Sequence, residues 1–289
     1  MRVADPPIGA PTADAVMARA QSENFPVASR VLPRRVRSHL LAIYGFARLV
    51  DELGDSGSAE PLAALDWLEA ELDRAFDARA QHPLLAVLSP TLRECALPRE
   101  PFLRLIEANR LDQRVARYET WQQLRAYCAL SADPVGELVL RVFGLATPAR
   151  ISLSDSICTA LQLTEHCQDV AEDLVRGRVY IPAEDLQRFG CSDSDLNAAH
   201  AGGPLRAVLA FEVQRARALL REGAPLIAEL RGRPKIAIAA FIAGARAALD
   251  AIEAADYDVL AGAPRAGRSR RALALARTLR AGGGVRGSE

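Results

Sequence analysis

The sequence predicts an all-α protein, and three observations carry that reading. Apolar residues recur at three- and four-residue spacing through most of the 289 residues, Ala, Leu and Arg dominate, and β-branched runs alternating at period two are nearly absent. A hydrophobic share of 50% supports one large core or two modest ones. No internal repeat or linker divides the chain, so a single domain is expected over 13–275, between a Pro-rich tail at 1–12 and a basic, flexible tail at 276–289.

The elements follow in order from proline punctuation, because a proline at a first helical turn removes an N–H that has no partner there anyway. A helix over 34–53 opens behind Pro33, one over 61–77 at Pro61, one over 83–95 at Pro83 and one over 99–116 around Pro101. The next, 120–144, contains Pro134, read as the only proline of the chain inside a helix, which should kink or split it by removing an intrahelical bond. Helices over 149–175, 204–230 and 233–259 begin beside Pro148, Pro204 and Pro234. Near the end, Arg270–Arg280 spells an amphipathic turn or two that fits either an anionic lipid surface or plain solvent.

Charge excludes several functions. With 36 Lys+Arg against 36 Asp+Glu and a pI near 6.9, the chain lacks the cationic surplus of a nucleic-acid binder. The longest apolar run, Ile236–Ala245, is about half of the roughly 20 residues that cross a bilayer. The N-terminus shows no secretory signal, so a cytoplasmic location is expected, with peripheral contact at the inner face of the cell membrane as an extension. Five cysteines without a C-x-x-C pair read as buried or free thiols.

The informative residues are two acidic stripes. In AIYGFARLVDELGD, Asp51 and Asp55 share a helical face with Arg48 and Tyr44 behind them. In LQLTEHCQDVAED, Gln162, Glu165, Asp169 and Asp173 advance by three or four residues. Chance alone supplies about four i, i+4 acidic pairs at this composition. What distinguishes these two is their cationic company, Arg48 on the first and Arg176 and Arg178 trailing the second. Carboxylate oxygens one turn apart repel, and a hard cation reverses that sign. Without His or Cys in the set, the donors suit Mg²⁺ shared with substrate phosphate oxygens. His166, beside Glu165, is read as a packed or surface histidine pointing off the acidic face.

With these motifs the chain resembles the squalene and phytoene synthase family, head-to-head isoprenoid synthases, over roughly 20–275. Ser22–Ser29 with Leu32 and Pro33 resembles the family's N-terminal substrate loop, and Tyr44, Arg48, Asp51 and Asp55 its first aspartate-rich motif. Asp112 and the run Tyr127–Gly136 fall on the helix that normally carries small residues before Val-Gly. Gln162, Asp169, Asp173, Arg178 and Tyr180 match the second aspartate-rich motif, and Tyr257 and Arg265 resemble a diphosphate-contacting pair. Glu52, Glu165 and Asp133-Pro134 depart from the usual Asp, Asn and Gly-Thr. The nearest branch is the hydroxysqualene synthase type, HpnC.

That resemblance implies a terpenoid-synthase helical bundle with a central cavity. It implies Mg²⁺ at Asp51, Asp55, Glu165, Asp169 and Asp173, and a prenyl diphosphate contacted by Ser22, Phe25, Tyr44, Arg48, Gln162, Arg178, Tyr257 and Arg265. The four aspartates and Tyr127 are the candidate catalytic groups. The implied reaction converts presqualene diphosphate to hydroxysqualene, with other squalene-pathway enzymes as partners. Head-to-head condensation to presqualene diphosphate, squalene or phytoene, and a non-catalytic scaffold at the membrane surface, stay open. Asp133 reads as the cap of the half-helix that starts at Pro134, orientation of the quenching water being its alternative.

Overall fold

A computed structural model describes residues 12–18, 32–55 and 60–281, and among them the chain is helical. The helices are α1 (Ala13–Ala18), α2 (Arg34–Asp55), α3 (Pro61–Phe76), α4 (Pro83–Glu94), α5 (Glu100–Asp112), α6 (Trp121–Ser131), α7 (Asp133–Val142) and α8 (Pro148–Gln168). They continue with α9 (Val170–Val175), α10 (Ala183–Arg188), α11 (Asp193–Leu196), α12 (Gly203–Gly223), α13 (Pro225–Glu229), α14 (Gly232–Ala254) and α15 (Arg268–Ala281). The only extended pairing among the described residues is an isolated parallel bridge, Arg117 with Val179. The all-α expectation is met. Contacts group the chain into two compact units, Met1–Val115 with Pro134–Thr147 and Ala116–Asp133 with Pro148–Glu289, where the sequence pointed to a single domain.

In the first unit α2 packs against α3, α4 and α5. Ile43, Phe46, Leu49, Val50 and Leu53 fall on one side of α2 by their spacing and are buried against Leu65, Leu68, Leu85, Leu88, Phe102 and Ile106. Phe46 meets Phe102 edge-on at 5.1 Å. The same spacing puts positions 44, 48, 51 and 55 on the opposite face, so the apolar stripe that folds α2 also aims its polar stripe.

In the second unit α8 and α12 lie side by side, with α14 against both and α15 against α14. Gly223 permits the α8–α12 approach, because a Cβ there would collide with the Ile157 side chain and the Leu153 carbonyl. All five cysteines are free thiols, four of them buried. No helix among the described residues is long and apolar enough to cross a membrane.

Several boundaries depart from the sequence reading. Pro134 does split 120–144, with the break at Ala132. Pro90 also lies inside a helix, α4, against the reading that Pro134 is the one interior case. Pro90 and Ala86, whose carbonyl it deprives of a helical donor, are both exposed, so water can replace the bond. Pro225 divides 204–230 into α12 and α13, and Asp169 separates α8 from α9. Asp256 and Tyr257 take left-handed φ values of +52° and +58°, which stops α14 before the expected 259. Helix α15 runs through 276–281, inside the expected tail, because it has a partner: Ala247, Ala251 and Ala266 are buried with Ala274 packed on them.

Candidate active site

Each unit carries one of the two acidic stripes. In the first, Arg48 is held near both neighbouring acids, with Nη1 3.9 Å from Asp51 Oδ2 and Nη2 donating to Glu52 Oε1 at 3.4 Å. Asn109 on α5 donates from Nδ2 to Asp51 Oδ1 at 3.3 Å, and Gln113 donates to the Gly54 carbonyl at 2.9 Å. A Cβ at Gly54 would strike the Asn109 side chain. Two amide side chains, one on α5 and one on the residue that caps its C-terminus, therefore seat the end of α2 that bears the aspartates. Tyr44 lies half-buried on the same face. Asp55 is the last residue of α2, and its side chain, like Ser22 and Phe25, lies outside the described residues.

In the second unit, α8 and α9 run nearly continuously through Asp169, whose N–H donates to the Glu165 carbonyl at 2.9 Å while its carbonyl accepts from Asp173 N–H at 2.8 Å. The chain then reverses at Gly177, φ +76°, and Arg178 N–H donates back to the Asp173 carbonyl at 2.9 Å. Val179 N–H donates to the Ala116 carbonyl, fixing the strand-like stretch that carries Tyr180. Asp173, Arg178, His166 and Tyr180 line one shallow pocket with Val170, Leu174 and Ile181.

Behind that pocket is an aromatic stack. His166 lies flat on Tyr180, and Tyr127 packs against Tyr180 at 5.5 Å and Tyr118 at 5.3 Å. Tyr127 is thus buried among rings. His166 is packed, as expected, but it does not point off the acidic face: Nδ1 stands 3.9 Å from Asp173 Oδ2 and Nε2 3.3 Å from Gln162 Nε2. Spacing explains this, since 162, 166, 169 and 173 advance by four, three and four and share one stripe.

The electrostatics single out Asp169. Burial, then the nearby charges of Glu172 and Asp173, push its carboxyl up to about 6, and His166 and Arg265 only partly offset them. Arg265 is brought there because Gln168 donates to the Pro264 carbonyl and anchors that loop to the end of α8. Glu165 is half-buried on α8. Tyr257 instead has Glu253, Arg217 and Asp256 as its charged neighbours. Asp133, expected to cap α7, is 2% exposed and accepts from Arg125 at 2.8 Å and Thr159 Oγ1 at 2.9 Å. Its carboxylate ties α6 to α8.

The donor set fits Mg²⁺. Among the described residues no three His, Cys, Asp or Glu side chains converge into a ready-made metal cluster. Mg²⁺ does not need one, since it commonly binds one or two carboxylates and completes its shell with water and phosphate oxygens. The negative charge around Asp169, which His166 and Arg265 only partly offset, is what such a cation neutralises, and Arg265 near Asp169 with Arg178 in the pocket of Asp173 suits a polyanionic ligand.

A family model described as squalene/phytoene synthase matches residues 18–274. Hydroxysqualene synthase of Sinorhizobium fredii is 35% identical over 215 residues, covering 73% of this chain and 72% of that protein. Chloroplastic phytoene synthase 1 of Solanum lycopersicum is 30% identical over 262 residues, 88% of this chain, which spans 64% of that enzyme's length. Among solved structures, squalene synthase HpnC from Alicyclobacillus acidocaldarius is 46% identical with a TM-score of 0.78, covering 83% of this chain and 92% of that one.

Proposed function

Because the chain belongs to the squalene/phytoene synthase family, we propose that it is a hydroxysqualene-forming enzyme, which ionises presqualene diphosphate with Mg²⁺ and captures the cation with water. The observation that carries the reading is the half-buried excess of negative charge at Asp169 and Asp173, flanked by Arg178 and Arg265. The 35% and 46% identities to hydroxysqualene synthase and to HpnC support the branch.

In this reading Asp51 and Asp55 in one unit, and Glu165, Asp169 and Asp173 in the other, are the metal ligands. Bound Mg²⁺ supplies Lewis-acid withdrawal of charge from the diphosphate. Arg48, Arg178, Arg265, Tyr44, Gln162 and Ser22 orient the diphosphate by hydrogen bonds, so that the C–O bond breaks with its electron pair leaving on the diphosphate. Phe25 and Tyr127 belong to the wall that excludes bulk water until one water oxygen adds to the carbocation, its proton passing to the departed diphosphate. Peripheral contact with the membrane, where so apolar a substrate resides, and with other squalene-pathway enzymes completes the proposal.

The test is incubation with presqualene diphosphate and Mg²⁺ in ¹⁸O-labelled water, without NADPH, followed by mass analysis of the lipid extract. A hydroxylated C30 product carrying one ¹⁸O is expected. Turnover of farnesyl diphosphate alone would assign the chain to head-to-head condensation, and turnover of neither would assign it to a scaffold.

A further inference from the structure

Helix α15 has one face committed and one face open. Its inner face is fixed on α14: Thr278 is 1% exposed and accepts from Arg246 Nη1 at 3.0 Å, and Ala274 packs on Ala247, Ala251 and Ala266. Those small residues let the two helices approach closely. They also set the rotation of α15, which turns Arg270, Leu273, Arg277 and Arg280 outward at spacings of three, four and three. Leu273 is 52% exposed in the middle of that face. The arginines Arg270, Arg277 and Arg280 are engaged in no ion pair among the described residues. No Asp or Glu occurs between Asp258 and Glu289, although the whole chain is electrically neutral. The cationic surplus is therefore local.

We propose that this outer face is a docking surface for an anionic lipid bilayer, with Arg270, Arg277 and Arg280 meeting headgroups and Leu273 entering the acyl boundary. Charge complementarity selects the occupant, and the single exposed leucine ringed by arginines selects a lipid surface over a purely ionic partner, because only an interface takes both at once. The inference makes specific the membrane contact in the function proposed above, but it stands on the helix itself.

The full-length protein is sedimented with phosphatidylcholine vesicles and with mixed phosphatidylcholine–phosphatidylglycerol vesicles. Binding is expected to the mixed vesicles only, weakening with salt. The triple variant Arg270→Glu/Arg277→Glu/Arg280→Glu should bind on the order of a hundred-fold less, at about five-fold per arginine lost. Leu273→Ser should weaken binding with the charge intact, and both variants should keep the wild-type thermal transition. Equal binding to neutral vesicles, an undiminished triple variant, or a Leu273→Ser variant that changes oligomeric state would overturn the proposal, the last by giving the face to a second copy. Because the readout is lipid binding, failure here leaves the proposed reaction untouched.

Discussion

The His166 imidazole lies against the Tyr180 ring with centroids 3.9 Å apart and planes 15° from parallel. This contact joins the acidic stripe of α8 to the stretch that follows Arg178, so the side chain that packs the site also sets where a cation-bearing loop rests. Replacing His166 by Ala should cost roughly 2–3 kcal/mol through the lost ring contact and the cavity left behind. His166→Phe keeps an aromatic plane on Tyr180 and should recover most of that loss. Urea denaturation measures both, and equal losses in the two variants would show that stacking is not what stabilises the pair.

Gly54 is expected to be intolerant of even one methyl group. Gly54→Ala drives a Cβ into Asn109, the donor to Asp51, and should destabilise the protein by roughly 1–3 kcal/mol. Pairing it with Asn109→Ala relieves the collision and should restore stability without restoring the hydrogen bond to Asp51. A double variant no more stable than Gly54→Ala would count against the steric explanation.

Glu212 should make the folded protein less stable as pH rises. It lies on the buried face of α12, where Oε1 accepts from Arg215 at 2.6 Å and Oε2 meets no donor. Burial pushes its carboxyl up to about 8 from an ordinary 4.5; Arg215 pulls it down and Asp185 adds to the push. A raised folded-state value means that the native protein holds a proton the unfolded chain has already released. This group's contribution is therefore favourable below about 4.5 and is lost up to about 8, at no more than about 1.4 kcal/mol per pH unit. Glu212→Gln should flatten that slope and raise the melting temperature at alkaline pH. An unchanged slope in scanning calorimetry across the window would remove Glu212 as its source.

Much of this was legible in the sequence where the signal was local. The spacing of Phe46, Leu49, Val50 and Leu53 set the inner face of α2 and, by elimination, the outward register of Tyr44, Arg48 and Asp51. Periodicity likewise placed Gln162, Asp169 and Asp173 together. The spacing that grouped those three also includes His166, so its place beside Asp173 was readable and was missed by attending to charge alone. Asn109 was not readable, because it meets Asp51 across 58 residues of sequence and only helix packing brings them together. Tyr118 sits between helices, where no period marks its side chain, and its stacking partners come from α6 and from the stretch after α9. The continuation of α4 through Pro90 turns on solvent exposure and the break at Pro225 on how α12 ends, neither of which a residue count reveals.

The most direct test is the Mg²⁺ dependence of diphosphate release from presqualene diphosphate, in the wild type and in Asp51→Asn, Asp169→Asn and Asp173→Asn. Carboxylate-to-amide changes keep shape and remove charge. The account predicts release that requires Mg²⁺, falls on the order of a hundred-fold or more in each variant, and needs higher Mg²⁺ for what activity is left. Wild-type release in the absence of divalent ions, or undiminished rates in all three variants, would contradict it.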